Sequence, residues 1–333
     1  MTQPCISIII PVYGVEEYID RCARSLFEQT MKEGIEFVFV NDCTEDQSID
    51  ILEKILMEYP HRQNQIKIIN HEINRGLGET RNTGLINAQG AYVWFVDSDD
   101  SIVPEAAAEL LELCGCRDID VLYFHADKML PDMSHDDFGA PFSSDVIRLD
   151  EVLEKQIPLS ACTAIFRKDF LLKNNLQFVP DLLHEDSDFS FRLFVFNPRV
   201  MFSEKQYYCY DNSRGGSIIN SKSFRLQSDN IRILKRCSDF LAENHVPVFR
   251  ARTIYEKIYR NCIVSNFPLD FIFAGDSKQL IKENKTAVIN CLFKSRNFSA
   301  VILGGCLAVS VDLFIFQLKF FQRIACIKRV VFK

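Results

Sequence analysis

The chain has 333 residues, 47% hydrophobic and 25% charged, which excludes a largely disordered protein and allows one large or two modest domains. A net charge of −7 gives no global attraction to nucleic acid. Twelve cysteines are many, but Cys5, Cys22, Cys162, Cys291 and Cys306 sit inside apolar segments, and the close pair Cys114 and Cys116 matches no usual zinc spacing. Free thiols in a reducing cytoplasm are expected. Met1–Pro4 carries no basic residue and the apolar run after it is short, so no secretory leader is expected. On that reading the sequons at Asn284 and Asn297 have no role.

Cys5–Val12 is a short, β-rich run, apolar but for Ser7, the pattern of a strand covered on both faces. Tyr13-Gly14 is a turn signal, and Glu16–Gln29 shows helical spacing at Tyr18, Ile19, Cys22, Ala23, Leu26 and Phe27. Glu36–Asn41 predicts a second strand, and Ser48–Tyr59 an amphipathic helix with Asp46 as its N-cap. Gln65–Ile69 predicts a third strand, and Leu77–Ala88 a helix stopped by Gly90. Tyr92–Val96 is another buried-strand pattern, and it runs straight into Asp97-Ser98-Asp99-Asp100. A helix over Glu105–Leu113, opened by Pro104, and a strand over Asp120–Phe124 complete an alternation of strands and helices. That alternation predicts an α/β fold, with a mostly parallel sheet and helices on both faces.

Beyond His125 the pattern changes. Asp127–Asp145, rich in Asp, Pro, Met and Ser, predicts a loop or lid. Leu159–Phe166 predicts a strand, and Phe170–Asn174 a helical turn. His184-Glu185-Asp186 precedes an aromatic helical run, Phe189–Phe196, and Gln206–Tyr210 predicts a strand followed by the turn-rich Asp211–Ser217. After Lys222 the pattern is helical. The expected organisation is residues 1–222 as one catalytic-type domain, with halves 1–125 and 126–222, and 223–333 as a helical C-terminal region.

Three clusters able to meet a ligand fall at predicted strand ends: Pro11-Val12-Tyr13, Asn41-Asp42 and Asp97–Asp100. Parallel strands put their carboxyl ends on one edge, where open α/β sheets bind ligands. Carboxylates there must meet water, a cation or a hydrogen-bonding partner, because an isolated buried charge is very costly. Tyr13 can stack on a base, and Asp42 can accept from a base imide or a ribose hydroxyl. Asp99 can hold Mg²⁺ or Mn²⁺, which take hard oxygen ligands and share them with phosphates. Arg75 and Arg81, around the Gly-broken Asn74–Gly78, suit a diphosphate.

Four ordered segments, Ser7–Tyr13, Val38–Asp46, Asn74–Gly84 and Gly90–Pro104, closely resemble family 2 glycosyltransferases of the GT-A, nucleotide-diphospho-sugar transferase fold. The resemblance covers residues 5–125. It implies an inverting, Mn²⁺- or Mg²⁺-dependent enzyme that moves a sugar from a nucleotide donor, UDP-linked by resemblance, to a glycan or lipid-linked acceptor in polysaccharide assembly. The family's Asp-x-Asp metal motif maps onto Asp97-Ser98-Asp99, with Asp99 the direct ligand. Its uridine contacts map onto Pro11, Tyr13 and Asp42, with Val12 also in the nucleotide-sugar site, and its diphosphate-side arginine onto Arg81. Inversion needs one general base near the acceptor hydroxyl and a cation on the leaving group. The family's Glu-Asp pair maps onto Glu185-Asp186, with Asp186 the base and Asp188 or Glu185 as alternatives. A bland reading of this segment is a capping Asp at a helix start.

The chain departs from the family at Cys43, where Gly or Ser is usual, and at Cys162 and Ala164, where many relatives carry Trp and Lys. The last two leave open a non-catalytic sugar-nucleotide binder of the same fold. Tyr207–Tyr210 with Arg214-Gly215-Gly216-Ser217-Ile218 resembles a family loop that closes over the donor, which places Arg214 near the diphosphate. A nucleotidylyltransferase and a dinucleotide dehydrogenase are disfavoured, because no Gly-rich loop follows the first strand. Asn297–Leu318 is long enough to span a bilayer, but Gly304-Gly305 and Asp312 oppose that. Lys319–Lys333 carries five basic residues and no acid, with Phe320, Ile324, Ile327 and Val331 on one helical face. It reads as a basic amphipathic helix suited to an anionic surface, so the expected location is the cytoplasm, peripheral to the inner membrane face.

Overall fold

The computed structural model describes residues 4–115, 118–127, 146–147, 160–211, 224–258, 262, 275–295, 303–304, 307 and 317. Arg214, the basic segment Lys319–Lys333 and most of Asn297–Leu318 lie outside the described residues, as does the segment after Asp127 except Val146–Ile147 and Ser160 onward. The chain divides into two compact units, Met1–Gly215 and Gly216–Lys333.

In the first unit, β1 (Ile6–Val12) is buried at every position. Helices cover both its faces, which is why its sequence shows no alternation. It pairs in parallel with β2 (Ile35–Asn41) and β4 (Tyr92–Phe95), and β2 pairs in parallel with β3 (Ile66–Asn70). The crossovers are α1 (Ile19–Phe27), α2 (Ser48–Glu58) and α3 (Leu77–Asn87). Gly84 lets α3 lie close on β1, since a Cβ there would sit 2.2 Å from Ile9 Cγ2. Asp46 stands one residue before the observed cap of α2, Gln47. Its Oδ1 still accepts from the Ser48 amide at 3.1 Å and hydroxyl at 2.6 Å. A 3₁₀ turn over Pro60–Gln65, not evident in the periodicity, buries Arg62, whose guanidinium donates to the carbonyls of Phe27, Gln29 and Met31.

Past β4 the sheet is mixed, where the alternation predicts it mostly parallel. The next elements in the chain are the two-residue β5 (Ser101–Ile102), α4 (Ala106–Gly115), β6 (Val121–Asp127) and β7 (Val146–Ile147). Then follow β8 (Ala164–Arg167), α5 (Lys168–Lys173), α6 (Glu185–Val195) and β9 (Val200–Cys209). Strand β8 slots between β4 and β6, antiparallel to both, while β9 runs parallel to β6. The described order is β3-β2-β1-β4-β8-β6-β9-β5, with β7 also on β9. A strand inserted from far along the chain leaves no trace in local periodicity, so the sequence could not show it. The direction of each strand has a direct consequence. The carboxyl ends of β1, β2, β4, β6 and β9 and the amino end of β8 all meet at one edge.

Helix α6 seats on that sheet through aromatic rings. Phe189 stacks on Phe178 at 4.4 Å between centroids and meets Phe166 edge-on at 5.5 Å, while Phe95 meets Phe178 at 4.9 Å. Such pairs stabilise by about 0.5–1.5 kcal/mol each beyond the area they bury.

The second unit is helical: α7 (Phe224–Glu243), α8 (Val248–Ile258), α9 (Gly275–Glu283) and α10 (Lys285–Lys294). Helix α10 packs on α7 and α8. Ile231, Leu234, Ile254, Ile258, Val288 and Leu292 form its buried interior. Among the described residues no helix is long and apolar enough to cross a membrane.

Candidate active site

The three strand-end clusters do fall along one edge. Pro11 and Val12 are buried at the end of β1, and Tyr13 just beyond them is 51% exposed. The turn after β2 begins at Asp42, whose amide donates to the Val12 carbonyl at 3.0 Å. Its carboxylate accepts from the Arg75 and Gly76 amides at 2.8 Å each and meets His71 Nδ1 at 2.7 Å. Asp42 thus shapes the loop before α3 as well as facing the edge. The Arg75 side chain turns along α3 toward Glu79, at 3.9 Å. Cys43 adopts a left-handed backbone, φ 58°, the conformation that favours Gly.

At the end of β4 the four-residue turn is held from several sides. Ser98 and Asp100 are buried, and Asp97 and Asp99 stay partly exposed. Asp97 Oδ1 accepts from Arg81 Nη2 at 2.6 Å, and its Oδ2 accepts from the Cys162 thiol at 3.1 Å. Tyr208, on β9, accepts the Asp97 amide at 3.1 Å and donates to Asp100 Oδ2 at 2.6 Å. Burial, with Asp97 and Asp99 beside it, pushes the Asp100 carboxyl up to about 8.

Arg81 is 3% exposed and lies over the Phe178 ring, its carbon 5.3 Å from the centroid. Its second amino group donates to Glu185, the first residue of α6. Burial disfavours its charge, but Asp97 and Glu185 outweigh that and hold it protonated. The guanidinium therefore spends its bonds on protein carboxylates, where the resemblance implies a diphosphate-side role.

Glu185 and Asp186 open α6 rather than preceding it, after His184 in a left-handed conformation at φ 57°. A helix N-terminus favours acidic residues, which explains the local sequence. Burial pushes the Glu185 carboxyl up to about 7 against the pull of Arg81, with Asp186 adding to the rise. Burial raises Asp186 too, again opposed by Arg81. Asp186 Oδ1 accepts from the Ser187 amide at 2.7 Å, and among the described residues it has no ion pair. Asp188 differs: it is fully buried and clamped by Arg192 at 2.6 Å.

Cys162 enters this edge because β8 starts there. Its carbonyl also accepts from Trp94 Nε1 at 2.8 Å, which fixes the turn. Burial first, then Asp97, pushes its thiol well above the ordinary range. Ala164 is buried in β8. Arg21, Cys162, Tyr208 and Asp211 belong to the site, yet only the tyrosine-rich strand and the departure at Cys162 hinted at any of them. A lone arginine on a helix carries no such signal.

Oxygen donors alone suit Mg²⁺ or Mn²⁺, which bind through one or two carboxylates when phosphates supply the rest. Among the described residues no group of three His, Cys, Asp or Glu side chains forms a cage for an ion. The Asp97–Asp99 pair fits the phosphate-sharing mode, with Asp97 already occupied by Arg81 and Cys162 and Asp99 at the partly exposed apex.

A mixed sheet with acidic, aromatic and Glu-Asp elements on its carboxyl edge defines a GT-A glycosyltransferase. The profile of Glycosyl transferase family 2 matches residues 7–171. EpsH of Bacillus subtilis, a glycosyltransferase by name, is 30% identical over 258 residues, 74% of this chain and 71% of that one. The chain belongs to glycosyltransferase family 2. The poly(ribitol-phosphate) beta-N-acetylglucosaminyltransferase TarS of Staphylococcus aureus is 33% identical over 222 residues, 65% of this chain but only 37% of that longer protein. The fold matches the crystal structure of S. aureus TarS 1-349 in complex with UDP-GlcNAc with a TM-score of 0.79, at 21% identity, over 96% of this chain and 91% of that one.

Proposed function

We propose that the chain is an inverting, metal-assisted transferase that takes a sugar from a UDP-sugar and passes it to a hydroxyl of a glycan or lipid-linked acceptor in cell-surface polysaccharide assembly. The observation that carries this is Arg81, whose one guanidinium bonds both Asp97 of the acidic turn and Glu185 beside Asp186. It brings a cation-type carboxylate cluster within one side chain of a second, half-buried carboxylate with a raised pKa. TarS, related in sequence and fold, is named for beta-N-acetylglucosaminyl transfer, and its crystal structure holds UDP-GlcNAc. An N-acetylhexosamine donor is the first to test.

In this reading Tyr13 stacks on the base and Asp42 accepts its imide N–H. Asp99, with Asp97 behind it, holds Mn²⁺ or Mg²⁺, which when bound neutralises the departing diphosphate. Asp186 takes the proton from the acceptor hydroxyl as that oxygen bonds the anomeric carbon. The bond from that carbon to the diphosphate breaks on the opposite face, so configuration inverts. A raised pKa brings Asp186 nearer the operating pH, where a base works best. Glu185 and Asp188, with their arginine partners, hold the helix start. Arg214 reaches the diphosphate, and Lys319–Lys333 holds the protein at the inner membrane face. Loss of anionic-vesicle binding on deleting that segment tests the last point.

Calorimetry of UDP, GDP and their sugar conjugates, with and without Mn²⁺, tests the whole. Tight Mn²⁺-dependent binding of one UDP-sugar is expected, and Asp99→Ala should abolish the Mn²⁺ dependence. Unchanged Mn²⁺–UDP affinity in that variant would overturn the metal assignment.

A further inference from the structure

Arg21 lies on α1, far in sequence from the acidic turn. Its Nη2 donates to the Asp99 carbonyl at 2.6 Å and to Asp211 Oδ2 at 2.6 Å. Asp211 donates its own amide to Asp100 Oδ1 at 2.8 Å. Tyr208 then links Asp100 back to the Asp97 amide. The bonds form a closed circuit around the turn, anchored on one helix and on the end of β9.

We propose that Arg21 is a positioning residue for the Asp99 carboxylate. It fixes the orientation in which that turn meets a divalent cation bearing the donor diphosphate. The inference rests on the donor reading above. An ordinary surface ion pair is the competing account. The Arg21 side chain is 50% exposed, and exposed pairs stabilise a fold by only about 0–1 kcal/mol. Two details set this pair apart. One of its bonds goes to the backbone of Asp99 itself, and its partner Asp211 is only 10% exposed. Mg²⁺-type cations demand near-ideal placement of their oxygens. Groups that orient a metal ligand, when removed, cost roughly 10–100-fold in metal affinity. A contact that adds little to stability can therefore govern metal affinity strongly.

Both bonds leave from one nitrogen. A lysine Nζ has three donors, enough for both bonds with a small shift of its one-bond-shorter stem, whereas methionine keeps the apolar stem and makes neither. The test uses the full chain as wild type, Arg21→Met, Arg21→Lys and Asp211→Asn. UDP affinity is measured by calorimetry with and without Mn²⁺, alongside thermal unfolding. Arg21→Met should lower Mn²⁺-supported UDP affinity about 10–100-fold. It should leave metal-free UDP affinity within about twofold and shift Tm by no more than about 4 °C. Arg21→Lys should recover most of the Mn²⁺ effect, and Asp211→Asn should fall between. An intact Mn²⁺ enhancement in Arg21→Met, an equal loss of metal-free binding, or no recovery in Arg21→Lys would each overturn the inference. Wild-type protein that binds UDP under neither condition would overturn the donor reading and this inference with it. That failure is visible before any variant is made.

Discussion

Replacing Arg81 with Met removes the cation between two carboxylates. Glu185 is 5% exposed, so it cannot turn to water, and Asp97 is left facing it. Breaking a buried pair by removing one partner costs about 3–5 kcal/mol. Met keeps much of the apolar stem but not the guanidinium carbon that lies over Phe178, so a smaller loss adds to that at every pH. The charge term depends on pH, and its sign follows from Glu185. Its folded pKa is already pushed up to about 7, by burial first, with Arg81 opposing. Without Arg81 it rises further. A carboxyl with a raised folded pKa favours the fold in its neutral form. That contribution is complete below its ordinary value of about 4.3 and is lost as pH rises through the folded pKa. Arg81→Met should therefore be mild near pH 5 and approach its full cost by about pH 8. At about 2–4 °C of Tm per kcal/mol for a unit of this size, the loss at the higher pH is about 6–20 °C, and less than half that at the lower. Thermal unfolding followed by circular dichroism across this range reads it directly. Equal losses at both ends would refute the reasoning, because they would mean that ionisation of Glu185 does not set the cost.

Other outcomes are open to direct measurement. Asp186→Asn should keep Mn²⁺–UDP binding and cut transfer by about 10²–10⁴, the range for a lost general base; near-normal turnover would move that role elsewhere. Gly84→Ala drives a Cβ to 2.2 Å from Ile9 Cγ2. Overpacking of that kind costs about 1–3 kcal/mol, more than alanine's helix preference returns, so a lower urea midpoint is expected and an unchanged one would refute the close approach. Cys43→Gly relieves a left-handed backbone worth about 1–2 kcal/mol, less about 0.4–1 for glycine's freedom when unfolded, so its Tm should rise slightly. A fall would show that the Cys43 thiol contact to Glu72 matters more than the backbone.

Much of the site was legible because the first four strands announce themselves locally. β1, apolar but for Ser7, and β4, apolar throughout, run straight into Tyr13 and the Asp97 turn, and β1 is followed by a helix with a clear period. Parallel strands then force those ends to one edge, whatever the rest of the chain does. The start of α6 was also readable, since three acids in a first turn answer the helix dipole. Here the boundary slipped by a few residues, because aromatic periodicity marks the buried face and not the cap.

What the sequence could not contain is which distant groups share a charge or a proton. Its local periods determined an α/β chain with carboxylates at strand ends. Only the tertiary structure decided that β8 enters antiparallel between β4 and β6, and that step carries Cys162 to Asp97. It also decided that Arg81 reaches Glu185, that Asp188 is sealed by Arg192, and that Arg21 grips the acidic turn. Local pattern is set by each residue's own burial and dihedral preference. Ion pairs and hydrogen bonds between distant segments depend on sheet order and strand direction, which are settled only when the whole chain packs.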